Sequence, residues 1–327
     1  MVNPLDDPTM KGLPARGWRS WSKKKKLVVI GLVLLAIIAI AVGLGVGLGV
    51  GLNNGDDNDN EGDDNETTPP TGGGGDDNTT TVNWKPKVGT TWQIELLHPL
   101  NNRSLDVDVY DIDLFNNNKS TIDALHKDGR KVICYFSAGS YENWRPDKDD
   151  FRDSDLGKTL NGWENEKWLN LRSSNVRKIM QSRLDMAVQK GCDGVDPDNV
   201  DGYDNDNGLG LTTNDSTDFV NFLARETHGR NMSIGLKNAG KIIPSVIRSM
   251  QWSVNEQCAQ YQECDTYAVF TQQGKPVFHI EYPKGDDTNN YKAVSTKQKD
   301  DACDFSGSGN FSTVIKNMNL DDWVQTC

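Results

Sequence analysis

Histidine is scarce in this chain of 327 residues: His98, His126, His228 and His279 are the four, and none pair at metal-ligand spacing. A zinc hydrolase is therefore disfavoured. There is no Gly-x-Ser-x-Gly elbow of the serine hydrolases and no phosphate-binding loop. Basic residues are also short: 35 Lys and Arg face 47 Asp and Glu, a net charge of -12. Residues 84–327 alone hold 36 acids against 28 Lys and Arg. That balance argues against nucleic acid as a partner and suits a cationic one. Cysteine is missing before residue 134, and all six cysteines lie from that position onward.

These absences divide the chain. Residues 1–26 form a short basic tail with seven Lys and Arg. Residues 27–52 contain no charge and no proline, a run longer than the roughly 20 residues a helix needs to cross a bilayer. Lys23, Lys24, Lys25 and Lys26 abut it, which places the N-terminus in the cytosol and the remainder at the cell surface or in the secretory lumen. A cleaved signal peptide is the competing reading, but the apolar run is long for one. Residues 53–83 hold nine acids, no Lys or Arg and the Gly72 to Gly75 run, the composition of a disordered acidic linker. Residues 84–327 are expected to form one large α/β domain. Cysteine usage and seven Asn-x-Ser/Thr sequons, at Asn65, Asn78, Asn102, Asn118, Asn214, Asn231 and Asn310, fit an exported glycoprotein. Cys258 with Cys264 and Cys303 with Cys327 are candidate disulfides, while Cys134 and Cys192 read equally well as a third bridge or as two thiols.

Along the domain one unit recurs: an apolar strand, a polar turn, an amphipathic helix, a glycine, the next strand. Helices are expected behind Ser120, Ser174 and Ser216, ending at Gly129, Gly191 and Gly229. Eight strands, near 91–96, 107–112, 132–136, 194–198, 233–236, 251–255, 276–282 and 312–316, indicate a (β/α)8 barrel. A doubly wound sheet is the alternative, but no Gly-x-Gly-x-x-Gly follows the first strand.

Active sites of such barrels lie at the C-terminal strand ends, and the fourth end is the richest. Gly194-Val-Asp-Pro-Asp-Asn-Val-Asp-Gly-Tyr203 sets Asp196, Asp198 and Asp201 beside Asn199. Period two turns Gly194, Asp196 and Asp198 to one face. Isolated charges at a core strand need a partner or a task. Calcium at the acidic stretch 196–206 is one alternative, although Gly202 and Gly208 do not fit EF-hand spacing; no metal or cofactor is expected. Other strand ends offer Trp92, Asp111, Asp113, Tyr135, Lys237, Glu256 and Glu281. Carboxylates in an aromatic-rich cleft are the pattern of glycoside hydrolysis, with Trp92, Tyr135 and Tyr203 as candidate sugar platforms.

The block Gly191-Cys-Asp-Gly-Val-Asp-Pro-Asp-Asn-Val-Asp-Gly-Tyr203 resembles the signature of glycoside hydrolase family 114, the endo-α-1,4-polygalactosaminidases. Tyr135-Phe-Ser-Ala-Gly-Ser-Tyr-Glu142 with Arg145, Glu166-Lys-Trp-Leu-Asn-Leu-Arg172, Val254-Asn-Glu256 and Ile280-Glu-Tyr282 are similar to further blocks of that family. The resemblance implies a (β/α)8 barrel that cleaves inside chains of α-1,4-linked galactosamine, the polymer galactosaminogalactan, which is cationic where deacetylated. It implies Asp198 and Glu256 as the catalytic pair, Asp198 as nucleophile and Glu256 as acid/base, with Asp196 tuning them. Asp111, Asp113, Asn199, Asp201 and Lys237 are supporting candidates. Strand parity would turn Asn255 inward and leave Glu256 to the trailing loop, which makes Glu281 a reserve. Glu166, Trp168 and Arg172 read as structural. A polysaccharide-binding barrel without catalysis and a glycosidase for another glycan are the competing functions.

Overall fold

The computed structural model describes residues 82–327. The basic tail, the expected membrane span and all but the last two residues of the linker lie outside the described residues. Among the described residues no helix is long and apolar enough to cross a membrane.

Eight parallel strands form a nearly closed barrel: β1 Trp92–Glu95, β2 Val109–Asp113, β3 Lys131–Ser137, β7 Gly194–Asp198, β8 Ser233–Lys237, β9 Trp252–Glu256, β10 Val277–Glu281 and β11 Phe311–Lys316. Every one falls at an expected position. A short antiparallel β12, Val324–Thr326, is added to β11. Between β11 and β1 the barrel is drawn together by side chains. The Trp92 indole N–H donates to the Ser312 carbonyl oxygen at 2.7 Å, and the Ser312 hydroxyl donates to the Thr90 carbonyl oxygen at 2.7 Å.

Period two sorts each strand. Trp92, Ile94, Val109, Ile133, Trp252, Val254, Phe278, Ile280 and Val314 fill the barrel interior, while Tyr110, Ile112, Val132, Phe136, Val195, Ile234 and Leu236 pack outward. Rings stack in the lower half, with Trp92 on Phe278 at 4.9 Å and Trp84 against Trp252 at 5.5 Å. Trp252 is why two neighbouring strands carry glycine. A Cβ on Gly235 would stand 2.0 Å from its indole nitrogen, and one on Gly194 2.6 Å from its ring. Trp92 is thus a buried closure residue and not a sugar platform.

The longer outer helices are α1 Lys119–Lys127, α2 Ser174–Lys190, α3 Thr213–His228, α4 Asp265–Gln272 and α5 Thr296–Cys303. Their caps differ from the expected serines. Asn118 caps α1 by accepting from Thr121 N, and the Ser120 hydroxyl donates to that same Asn118 oxygen. Ser173 caps α2, and a Thr212–Asp215 box caps α3 one turn before the buried Ser216. In each case an earlier polar side chain reaches the free amides first. Gly129 and Gly191 do end their helices with φ of +78° and +92°, conformations that suit glycine.

Two departures from a regular barrel matter below. No helix lies between β1 and β2; residues 96–108 cross as irregular chain. After β3 the chain instead builds a second sheet, β4 Ser140–Glu142, β5 Leu156–Leu160 and β6 Trp163–Leu169, in the order β4-β6-β5. Disulfides join Cys134 to Cys192, Cys258 to Cys264 and Cys303 to Cys327. Cys134 and Cys192 are therefore a bridge and not two thiols.

Candidate active site

Three successive strands bring one cation between two anions. Asp198 ends β7, Lys237 ends β8 and Glu256 ends β9. The Lys237 ammonium lies 3.0 Å from Asp198 Oδ2 and 3.3 Å from Glu256 Oε2. Lys237 is only 2% exposed, whereas both carboxylates are partly open. Burial alone would discharge this lysine, but the Asp198 and Glu256 charges overturn that and hold it protonated well above its usual range.

Glu256 is the last residue of its strand and faces inward with Trp252 and Val254; Asn255 is the one turned outward. This corrects the expected parity, because the indole of Trp252 occupies the barrel and sets the phase. The Asn238 amide donates to Glu256 Oε2 at 2.9 Å, its carbonyl accepts from Glu256 N at 2.9 Å, and the Tyr282 hydroxyl donates to Glu256 Oε1. Burial opposes the charge on Glu256. Lys237, the Tyr282 hydroxyl and the Asn238 amide outweigh it and leave the carboxyl below its usual range. Asn238 and Ala239 both take positive φ, 49° and 53°, a strained turn of the sort that gathers at functional sites. Tyr282 stands in sequence only within the Ile280-Glu-Tyr282 block and Asn238 not at all as a site residue; their position at strand ends is the signal that marks both.

Asp198 accepts from the Tyr135 hydroxyl at 2.9 Å. Tyr135 is thus a brace for a carboxylate and not a platform. Asn199, at φ 60°, turns its amide onto Ser137 Oγ at 3.2 Å and Ser140 Oγ at 2.9 Å, and Ser140 in turn donates to the buried Glu166. Asn199 therefore ties the strand end to β4 and the second sheet. Asp201 is half-buried, and burial followed by the Asp198 charge pushes it up to about 6.

Below the pair, Asp111 and Asp196 are fully buried, and no donor among the described residues reaches any of their four oxygens. Two carboxylates can satisfy one another only by sharing a proton. Burial raises both; the Asp196 charge adds to it at Asp111, and the Asp198 and Glu256 charges add to it at Asp196, so one proton stays between them at neutral pH. The layer carries one negative charge beneath Lys237.

Three expected residues stand apart. Asp113 is held by both terminal nitrogens of Arg145, at 3.1 and 2.6 Å, and Arg145 Nε binds Glu142 at 2.7 Å; Asp113 is a buried structural ion pair. Glu281 lies on the outward face of β10. It accepts from the backbone N–H groups of Ala259 and Gln260 and contacts His279 Nε2 at 2.9 Å. It supports the turn after Glu256 and cannot replace it. Tyr203 is half-buried, with the Lys241 ammonium 5.8 Å from its ring.

Two partly open carboxylates on one rim, bridged by a buried cation and flanked by hydroxyl and amide donors, are equipped to act on an acetal: one as nucleophile or base, the other as proton donor. A sequence model of glycoside-hydrolase family GH114 matches residues 76–327. No curated protein matches the chain. Among solved structures, Aspergillus fumigatus Ega3 in complex with galactosamine is 73% identical, with a TM-score of 0.76; the match covers 76% of this chain and 100% of that chain. The glycoside hydrolase domain of PelA from Pseudomonas aeruginosa, at 13% identity and a TM-score of 0.55, shares the fold over 72% of this chain and 98% of its own.

Proposed function

This chain belongs to glycoside-hydrolase family GH114, and we propose that it cuts α-1,4 linkages inside partly deacetylated galactosaminogalactan, with Asp198 and Glu256 as its catalytic pair. The observation that carries the reading is the meeting of both carboxylates on the Lys237 ammonium at one barrel rim. Asp198 attacks the anomeric carbon. Glu256 gives a proton to the leaving oxygen and then takes one from the incoming water. Contact with a single ammonium limits the two nearest carboxylate oxygens to about 6 Å apart. That upper bound lies below the ~6.5–9.5 Å of inverting enzymes and leaves room for the ~5–5.5 Å of retaining ones, so the product keeps its α configuration.

The electrostatics favour a positively charged sugar. Asp198, Glu256 and the dyad supply three negative charges against the one of Lys237. A protonated amine entering the cleft relieves that excess. Lys237 and the Tyr282 and Asn238 donors set a condition on catalysis: Glu256 rests as its anion, so turnover starts from a minority form in which it carries the proton.

Residues 27–52 serve in this reading as a single membrane span with the N-terminus in the cytosol, and 53–83 as an acidic spacer that holds the domain at the cell surface or in the secretory lumen. Support comes from the uncharged run beside Lys23 to Lys26, from three disulfides, and from the exposure of the sequon residues Asn102, Asn118, Asn214, Asn231 and Asn310. Protease protection in intact cells tests it: digestion of the domain from outside, or from within sealed vesicles only after lysis, is expected. Digestion by cytosolic-side protease contradicts it.

The direct test of function uses the fragment 82–327, since the whole Ega3 chain corresponds to about that share of this one. It should release oligosaccharides from partly deacetylated galactosaminogalactan, and neither from chitosan nor from the fully acetylated polymer. Binding without release would make it a polysaccharide-binding barrel; release only from another glycan would reassign the substrate.

A further inference from the structure

The missing helix between β1 and β2 leaves an opening on the barrel's flank. Gln93, Glu95 and Tyr110 point outward there, where a regular barrel would cover them. Beside them lies a cavity of about 380 Å³, walled on one side by Leu105 of the crossover and on the other by Tyr291 and Asp322 of the C-terminal part. Its volume falls in the roughly 300–1,000 Å³ range of small-molecule sites. It faces away from Asp198 and Glu256, because Glu95 belongs to the outward set of β1 while Trp92 and Ile94 face the barrel.

Glu95 is the anomaly. It is 4% exposed, lines the cavity, and accepts no hydrogen bond or ion pair from any described residue. Its neighbours are all occupied. Lys316 donates to Gln93 Oε1 at 3.2 Å and to the Asp321 carbonyl oxygen at 2.6 Å. Asp321 is taken by the Asn317 amide and Trp323 N. Asp322 accepts from the Tyr291 hydroxyl. Burial without a partner, opposed only in part by Lys316, pushes Glu95 up to about 7. Its oxygens open only into the cavity, so water or a ligand that enters there supplies the partner.

The geometry selects the class of that partner. A metal ion would need three or more ligand atoms converging on one point. Among the described residues the one such group is Cys258, Cys264 and His279, distant in the fold and with its cysteines already joined. What the cavity offers is one unpartnered carboxyl at depth and, at its rim, the exposed carboxylates of Asp106 and Asp322 and the ring of Tyr291, 69% exposed. That is a place for an ammonium on a ring-shaped, hydroxylated body: the amine deep, the sugar face against the tyrosine.

We propose that this flank cavity is a second binding site for a protonated amino-sugar unit, with Glu95 accepting from the ammonium and Tyr291 packing on the sugar ring. This rests on the polymer proposed above as substrate. It gives that polymer a hold on the domain apart from the cleft, so a strand released by one cut stays attached for the next.

Calorimetric titration of fragment 82–327 with an α-1,4-galactosamine trisaccharide tests it, in a Glu256→Gln background that keeps the ligand intact. N-glycans are removed first, because the sequon residue Asn102 also lines the cavity. Two sites are expected, falling to one in Glu256→Gln/Glu95→Gln, and the second site should weaken several-fold with Tyr291→Ala. Glu95→Gln keeps the side-chain shape and removes a buried acid, so it should fold; an unchanged melting temperature or a higher one confirms that. With Glu256 restored, both flank variants should keep wild-type kcat on the trisaccharide and raise KM on the polymer alone. One site in the Glu256→Gln protein, two sites indifferent to Glu95→Gln, or equal flank binding of the N-acetylated trisaccharide would each overturn the proposal. Wild-type cleavage with single-site binding would sink the flank site and leave the function standing. No cleavage and no binding would sink the function itself.

Discussion

A Cβ on Gly139 would stand 1.8 Å from the carbonyl oxygen of Asn199. The turn after β3 and the turn after β7 are therefore pressed together, and the backbone N–H groups of Ala138 and Gly139 both donate to the Asp198 carbonyl oxygen, at 2.9 and 3.0 Å. Gly139→Ala must separate the two turns and shift Asp198 off its bonds. A loss of at least about 100-fold in kcat is expected, since misplacement by about 1 Å is enough for that. Steady-state kinetics with a near-ultraviolet circular dichroism check would show it; a kinetically normal alanine variant would mean the turns can part freely.

Lys237→Met removes the cation and leaves two carboxylates and a charged dyad facing one another. Breaking a buried pair in this way costs about 3–5 kcal/mol, so a marked drop in melting temperature is expected. Without the ammonium Glu256 should titrate higher, and the residual activity should move to higher pH. A profile that stays in place would show that Lys237 does not set the ionisation of Glu256.

Tyr282→Phe takes one hydroxyl from Glu256 and leaves the packing. The carboxyl is again expected to titrate higher. The limb of the kcat/KM profile that reports loss of the catalytic proton should move upward in pH, while KM for the trisaccharide changes little. A fall in affinity with no pH shift would make Tyr282 a sugar contact instead.

Stability should decline as pH rises through weak acidity. Burial holds Glu95, Glu166 and Asp196 at about 7 and Asp201 at about 6. Each is raised above its unfolded value, so the folded chain binds more protons than the unfolded one between those limits, and folding weakens with increasing pH. The loss from about pH 5 to pH 7 is on the order of a few kcal/mol. Lys316, lowered to about 7 by burial, works in the opposite sense only above that. Melting temperatures should fall over this range, and less steeply in Asp111→Asn, where the dyad no longer competes for a proton. A flat wild-type curve would mean these carboxyls are better solvated than their burial implies.

The barrel is legible in the sequence because its rule is local. Period-two alternation and glycine stops located all eight strands, and the fourth strand's Asp-Pro-Asp end stood out by composition. Trp92 and Tyr135 read as platforms in sequence because an aromatic at a strand end looks the same whether its ring closes the barrel or its hydroxyl holds a carboxylate. The phase of Glu256 is not legible locally, since the inward set of β9 is fixed by Trp252 lying over Gly194 and Gly235, two residues on other strands. Glu281 failed as a reserve for the same reason, as its partners Ala259 and Gln260 are a turn brought near only by the fold. The second sheet at 140–169 was invisible, being polar and short. The helix-free flank that exposes Glu95 is an absence between two correctly placed strands.

The most direct test of the catalytic pair is turnover of deacetylated galactosamine oligosaccharides by Asp198→Asn and by Glu256→Gln, each with its melting curve. Both should lose at least about 10³-fold in kcat and keep a cooperative transition within a few degrees of wild type. Either variant turning over at the wild-type rate would contradict the account.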